Sequence, residues 1–260
     1  MATLVTFHAH PDDESIATGG VMAKAAAEGH RVVLVIATKG EHGEVAEGVL
    51  LPDEALWQRR VEETQRAAEI LGVSRVEFLG YVDSGMMGTP ENDKPGSFWL
   101  ADLDEAAKRL AAILDEEGAD ALTVYDDKGS YGHPDHIQVH RVGTRAAELA
   151  GTPRVYEATI NRDHLKRIFT FAMESGIELP GDIDPNGFEE LGVSEELITT
   201  TVDVSAYLDV KRRAMAAHAS QIAETSFFLA MPPDAFAASF GWEWFIRRGA
   251  PAGTTETALL

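Results

Sequence analysis

The sequence predicts an α/β fold, doubly wound, with a mostly parallel sheet, helices on both faces and an irregular C-terminal extension. Two observations carry this. From residue 3 to about 160, short apolar runs alternate with longer amphipathic ones, the signature of strands joined by right-handed crossover helices. Among the short runs, Arg31 to Ala37 (RVVLVIA) is continuously apolar, as a strand buried on both faces must be.

The elements follow in order. Thr3 to His8 is the first strand, and after a loop at Pro11 a helix starts near Ser15, with Ile16, Val21, Met22, Ala25 and Ala26 on one face. Gly29-His30 stops it, Arg31 to Ala37 forms the second strand, and a glycine-punctuated loop, Lys39 to Glu44, leaves its end. Asp53 to Leu71 has helical spacing and ends at Gly72, before a third strand from Arg75 to Leu79. Gly80 to Ser97 is too long and too rich in Gly and Pro for a simple turn and reads as an active-site rim. A helix from Asp102 to Glu117 precedes a fourth strand, Asp120 to Tyr125. Pro134, at the first-turn position proline tolerates best, opens a helix that runs to Ala150, and Arg154 to Ala158 is the fifth strand.

Beyond residue 160 the pattern is less regular. Gly176 to Gly192 reads as a loop or flap, Leu197 to Val204 as a strand and Ala206 to Ile222 as a helix. The aromatics between Phe227 and Phe245 read as core or as a lid over the sheet, and Gly253 to Leu260 as a disordered tail. Residues 1–260 are read as one domain, with a core over 3–160 and a C-terminal strand, helix and aromatic-rich cap over 161–252.

Composition narrows the function classes. Lys and Arg total 22 against 43 Asp and Glu, a net charge of -21, and there is no basic run, which argues against a nucleic-acid surface. The chain has no cysteine, so it has no thiolate nucleophile and no Cys-type zinc site; a metal would need His and carboxylate ligands. No signal-like or membrane-spanning segment is evident, which predicts a cytoplasmic protein.

Two strand ends concentrate chemistry. His8-Ala9-His10-Pro11-Asp12-Asp13-Glu14-Ser15 follows the first strand, and Tyr131-Gly132-His133-Pro134-Asp135-His136, with His140 beyond it, follows the fourth. In an open parallel sheet both corners fall on the carboxyl edge, where ligands bind. His10 and Asp13 are close enough in sequence to aim at one point, and Asp12, pointing elsewhere, stays free to act on water as general base. Spacing leaves the second corner open: His136 alone joins His10 and Asp13, or His136 and His140, four apart on one helical face, bind as a pair.

HAHPDDES together with YGHPDH resembles the LmbE-like/PIG-L family of zinc-dependent N-deacetylases, over roughly residues 3 to 160. The resemblance implies a Rossmann-like sheet and hydrolysis of the acetamide of an N-acetylglucosaminyl small molecule. It implies one Zn2+ per chain on His10, Asp13 and His136, with Fe2+ as the alternative ion, and Asp12 as general base. It further implies that protonated His133 stabilises the tetrahedral intermediate and aids the leaving amine, that Asp135 holds that imidazole and keeps it charged, and that Tyr131 lies near the oxyanion. His140 and Glu14 become supports behind the ligands.

Gly43-Glu44-Val45, Arg60 and Asp83-Ser84-Gly85-Met86 resemble the mycothiol branch of that family, its glucosaminyl-inositol deacetylases and conjugate amidases. By that resemblance Arg60, Asp83, Glu44 and Met86 are expected on the substrate side. His218-Ala219-Ser220-Gln221 resembles a C-terminal signature of the family. The amidases carry a lysine soon after the first motif where this chain reads Ser15 to Gly20, which weakens the thiol-conjugate alternative; the acidic 176–192 segment fits neither enzyme. A non-catalytic nucleotide-binding or regulatory domain is the other alternative, disfavoured because the first strand-end turn has no Gly-x-Gly-x-x-Gly. The expected partner is a small amino-sugar substrate, with no nucleic acid and no membrane span, and a homo-oligomer is compatible with the sequence.

Overall fold

The computed structural model describes residues 1–45, 48–174 and 185–260. β1 (Thr3–His8) leads through two short helices, α1 (Asp13–Ala17) and α2 (Gly19–Ala27), to β2 (Arg31–Ile36). α3 (Leu56–Leu71), β3 (Arg75–Phe78), α4 (Leu103–Glu117) and β4 (Ala121–Tyr125) follow. After the single turn α5 (Gly129–Gly132) come α6 (Pro134–Ala150), β5 (Arg154–Thr159) and α7 (Arg162–Glu174). The chain closes with β6 (Thr200–Asp203), α8 (Leu208–Ala217), α9 (Phe227–Ala230), α10 (Pro233–Phe240) and β7 (Trp242–Arg247).

The seven strands form one sheet in the order β3-β2-β1-β4-β5-β7-β6. β1 to β5 are parallel and β7 runs antiparallel to both β5 and β6, so the expected mostly parallel, doubly wound sheet is present. β1 sits at the switch point between β2 and β4, where the strand order reverses and ligand sites form. Its six residues are all buried, and the two faces it separates carry different helices. Val5 and Phe7 pack with Leu110 and Leu114 of α4 and Val139 and Val142 of α6. Leu4 packs with Val21 and Met22 of α2, Leu71 of α3 and Ala214 of α8.

Glycine sets the height of α6, the helix that carries the second motif. A methyl group at Gly143 would stand 2.3 Å from Val124 Cγ1 and 3.3 Å from a Phe7 ring carbon, so any larger residue would lift the helix off the sheet. At the opposite edge, α4 is tied to the starts of β2 and β3. Glu117 accepts from Arg31 Nε at 2.5 Å and from Arg75 at 2.8 Å, and Arg31 above all pulls its carboxyl down to about 2. Because the folded-state value is depressed, this stabilisation is present above the ordinary carboxylate pKa and is lost as pH falls from about 4.5 toward 2. Glu117→Gln is expected to cost about 1 kcal/mol at pH 7, the partly exposed arginines screening the rest. It should also flatten the fall in unfolding free energy between pH 5 and about 3; an identical pH dependence in both proteins would rule the pairing out as a source of stability.

The C-terminal part departs from expectation in three places. The aromatics at 242–247 form β7, where Phe245 faces the core and Glu243, also buried, accepts from the N–H groups of Gly20 and Val21 at the start of α2 and pairs with Lys211 Nζ at 2.6 Å. An acid at this position hid the strand's pattern because its partners lie far away in sequence. The last residues are packed, with Leu259 buried among Leu4, Val21 and Val202 and Glu256 bridged to Thr200. α7, which the sequence reading omitted, covers 162–174. Of the expected 176–192 loop, residues 176–184 lie outside the described residues. Among the described residues no helix is long and apolar enough to cross a membrane.

Candidate active site

Both histidine corners lie at the carboxyl ends of neighbouring strands, β1 and β4, as parallel pairing requires. The first is a tight turn. Asp12 adopts φ 103°, a conformation that costs a non-glycine residue on the order of 1–3 kcal/mol and that clusters at functional sites. Its carbonyl accepts from Ser15 and Ile16 and so starts α1, while the turn sends the two adjacent carboxylates apart. Asp12 Oδ1 lies 3.4 Å from Arg60, whereas Asp13 Oδ2 accepts the N–H of His10 at 2.9 Å.

The second corner is the start of α6. His133 is its N-cap, with Nδ1 accepting the N–H of Asp135 at 3.1 Å, which places the neutral ring's proton on Nε2. His136, one position further into the helix, brings Nε2 to 3.3 Å from Asp13 Oδ2, and its ring stacks at 4.2 Å on Tyr125. Tyr131 reaches the same nitrogen with its hydroxyl, at 3.3 Å. It does so from a turn pressed against α6: a side chain at Gly129 would stand 2.7 Å from His136 Cβ, and Asp126 holds the loop by accepting from Lys128 and Ser130.

Asp13 Oδ2 is therefore 3.3 Å from His10 Nδ1 and 3.3 Å from His136 Nε2. Ligand atoms 2.0–2.1 Å from a tetrahedral zinc are separated by about 3.4 Å, and both spacings to Asp13 have that length. Among the described residues, ligand atoms all within 4.8 Å of one another occur in the sets His10, His133, His136 and His10, Asp83, Asp135, with Asp13 beside the first of them. The second of these is better described as a clamp: Asp135 Oδ2 at 3.1 Å and Asp83 Oδ1 at 3.6 Å both face His10 Nε2, leaving Nδ1 for an ion. Among the described residues none of Asp13, Asp83 and Asp135 pairs with a lysine or arginine, so the donor set as a whole asks for a cation.

The titration behaviour agrees. Burial opposes charge on Asp13 and on Asp83, but the facing imidazoles, His136 and His10 for the first and His10 for the second, hold both carboxyls well below the usual range. Burial also opposes charge on His10, but Asp13, Asp135 and Asp83 raise it well above its ordinary value. Asp12 differs: burial pushes its carboxyl up to about 6 while Arg60 and His218 resist, which leaves a base poised near neutrality.

Several sequence expectations are corrected. Asp135 holds His133 through its backbone N–H and not through its carboxylate. As the second residue of α6 it points its carboxylate to His10 and to Ser84, from which it accepts both the backbone N–H, at 2.9 Å, and the hydroxyl. His133 is correspondingly not kept charged: burial, then His10 and His136, push it down to about 4. Arg60 does not face open space for a sugar. It is 3% exposed, and its guanidinium donates to the carbonyls of Gly40 and Pro11 beside Asp12. His140 stands away from the ligands, on the Tyr125 carbonyl at 2.9 Å and 3.7 Å from Glu157. Glu14 accepts the N–H of Asp12 at 2.9 Å. Met86 and Glu44 are exposed, and buried Asp83 caps its own loop by accepting from Gly85 and His42. Sequence reasoning assigned no role to Ser84, although it lies in the stretch Asp83-Ser84-Gly85-Met86, or to Tyr125, an ordinary strand residue whose hydroxyl meets His8 Nδ1 at 2.8 Å.

A family model described as PIG-L, GlcNAc-PI de-N-acetylase, matches residues 5–147. A curated relative from Catenulispora acidiphila, named 1D-myo-inositol 2-acetamido-2-deoxy-alpha-D-glucopyranoside deacetylase 1, is 43% identical over 256 residues, covering 88% of this chain and 78% of that protein. Among solved structures, the N,N'-diacetylchitobiose deacetylase of Pyrococcus horikoshii superposes with a TM-score of 0.59 at 20% identity, covering 94% of this chain and 83% of the other. A 4-carboxy-2-hydroxymuconate hydratase from Pseudomonas putida does so with a TM-score of 0.60 at 20% identity, covering 96% and 98%. Two reactions on one fold mean that the likeness of fold alone does not select the chemistry.

Proposed function

The chain belongs to the PIG-L family, and from that premise we propose that it is a metal-dependent deacetylase that removes the acetyl group from a GlcNAc-inositol-like small molecule. The observation that carries this reading is the pair of 3.3 Å spacings from Asp13 to His10 and His136, with Asp12 beside them and turned away. The curated relative's name supplies the substrate class. His10, Asp13 and His136 would hold one divalent ion, zinc or Fe2+. When bound, the ion polarises the acetamide carbonyl and makes water nucleophilic near neutral pH.

The chain's own groups then divide the work. Asp12, ionised above about pH 6, takes the proton from the attacking water, and the same carboxyl returns it to the departing nitrogen. Arg60, bonded to the carbonyl of Pro11 just before it, fixes where Asp12 points. His133, its Nδ1 already occupied, offers Nε2–H to charge developing on the carbonyl oxygen; a ring at a helix N-terminus with a lowered pKa suits a neutral donor. Tyr131 is an exposed residue whose hydroxyl turns in toward His136, where local desolvation and then Asp13 keep it protonated; it adds a second donor, and one such donor typically lowers the barrier by about 3 kcal/mol. Asp135 and Ser84 orient His10. Met86 and Glu44, exposed on the rim loops, are the proposed substrate-side positions, with Asp83 buried beneath them on His10. The C-terminal strands β6 and β7 complete the same sheet, which supports reading 1–260 as one catalytic domain.

Amine release from GlcNAc-inositol, free GlcNAc, chito-oligomers and mycothiol conjugates tests the substrate. The expected result is a kcat/KM for GlcNAc-inositol at least about tenfold above the others, a discrimination of about 1.4 kcal/mol. A preference for the thiol conjugate would replace this reading with the amidase one.

A further inference from the structure

A second grip on the Asp12 turn comes from a part of the chain beyond residues 5–147, the reach of the family match. His218, directly after α8, is fully buried, and its Nε2 lies 2.6 Å from Glu14 Oε1, across 204 positions of sequence. Glu14 is equally buried. Ser15 donates to the same oxygen at 2.7 Å, and the other oxygen, Oε2, accepts the N–H of Asp12 at 2.9 Å. The backbone of the proposed base is thus bonded to a side chain that is itself held from the far end of the protein.

The neighbours of His218 reach the other elements around Asp12. Ser220 gives its N–H and its hydroxyl to Glu63, at 2.9 and 2.6 Å, and Glu63 stands on α3 one turn from Arg60. Gln221 donates to the Glu44 carbonyl at 2.9 Å. A side chain at Gly43 would stand 2.4 Å from Gln221 Oε1 and 2.6 Å from Arg60, so the 40–44 loop is closed down onto both. One four-residue segment therefore touches the turn that carries Asp12, the helix that carries Arg60 and the loop that carries Glu44.

We infer that His218 is a positioning residue for the reaction, acting on Asp12 through Glu14. The physical reason is the backbone of Asp12. A residue at φ 103° stays there only while its surroundings over-determine it, and the Glu14 carboxylate is the acceptor that fixes its N–H. Without His218, fully buried Glu14 keeps only Ser15 and the Asp12 N–H, loses the imidazole that anchors it from the far side and turns or draws in water, and the Asp12 turn relaxes. A misplacement of about 1 Å in a catalytic group lowers turnover by about a hundredfold. The inference rests on the proposed role of Asp12 as the proton carrier.

The test compares His218→Leu and His218→Gln in the full chain, reading kcat, KM and metal content with GlcNAc-inositol as substrate. The Leu variant has no donor for Glu14, whereas the Gln amide still reaches Glu14 Oε1. The expected result is a fall in kcat of about a hundredfold for Leu, with KM within about threefold and one equivalent of metal retained, and recovery of at least about tenfold of that loss in Gln. If the Leu variant does not fold, His218→Asn, polar but too short to reach Glu14, takes its place with the same expectation. The inference is overturned if kcat stays within about threefold of wild type in the Leu or Asn variant, if the loss lies in KM or metal content alone, or if Gln does no better. Wild type is measured first: an inactive, metal-free wild type would remove the proposed function and this inference with it, whereas an active wild type with unaffected variants removes the inference only.

Discussion

Asp12→Asn lowers kcat by about a thousandfold and leaves one equivalent of divalent metal on the chain, the range expected when a general acid–base is removed. Asn is among the residues that best tolerate a positive φ, so the turn at 103° survives the change. The ligand atoms of His10, Asp13 and His136 are untouched, because the Asp12 carboxylate points to Arg60 and not to them. The pH profile separates a base from a structural carboxylate. In its proposed role Asp12 would work in its ionised form, and burial raises its carboxyl to about 6, so activity should be full above that value and fall about tenfold per unit below it. The acidic limb of kcat/KM should therefore lie near pH 6 in wild type and vanish in the residual activity of Asp12→Asn. If Asp12→Asn empties the metal site while Asp13→Asn leaves it filled, the roles of the adjacent acids are reversed.

What the sequence made legible follows from how local the governing physics is. RVVLVIA at 31–37, Pro134 at the start of a helix and Gly72 at a helix end each act within a few residues, and the parallel core up to β5 is present where such signals placed it. The two site corners were legible for a related reason. Strand ends of a parallel sheet share one edge, so two short motifs suffice to bring His10, Asp13, Tyr131, His133 and His136 together.

Direction was not legible. His133 and Asp135 are two residues apart, and whether the carboxylate meets the imidazole depends on one being the N-cap and the other lying inside the first turn, where it turns toward Ser84 and His10. Arg60 reads as a surface charge on a helix, yet the carbonyls of Gly40 and Pro11 take it out of solvent. His218 and Glu243 are buried polar groups whose partners, Glu14 and the start of α2, lie more than 200 positions away, and buried Lys211 pairs with Glu243 across 32 positions. No local pattern encodes such a pairing, and burial of these groups is what disguised the C-terminal strand.

The second large effect concerns the ligands. His136→Ala lowers metal affinity by more than about a hundredfold, since loss of an outer-shell partner alone costs 10- to 100-fold and this residue would be a direct ligand. The fold should persist. Gly143 still seats α6 on Val124 and Phe7, and the space left beneath the Tyr125 ring is that of one side chain at the sheet edge. His140→Ala provides the contrast. The spacing of four allowed a 136/140 pair, but His140 is bonded to the Tyr125 carbonyl and faces Glu157, so its removal should leave the metal in place.

The central claim is that His10, Asp13 and His136 hold one divalent ion beside a free Asp12. Metal content of purified wild type, His136→Ala and His140→Ala, after equilibration with a competing chelator, tests it most directly. Wild type and His140→Ala should carry about one equivalent and His136→Ala essentially none. Full occupancy in His136→Ala, or its loss in His140→Ala, would contradict it.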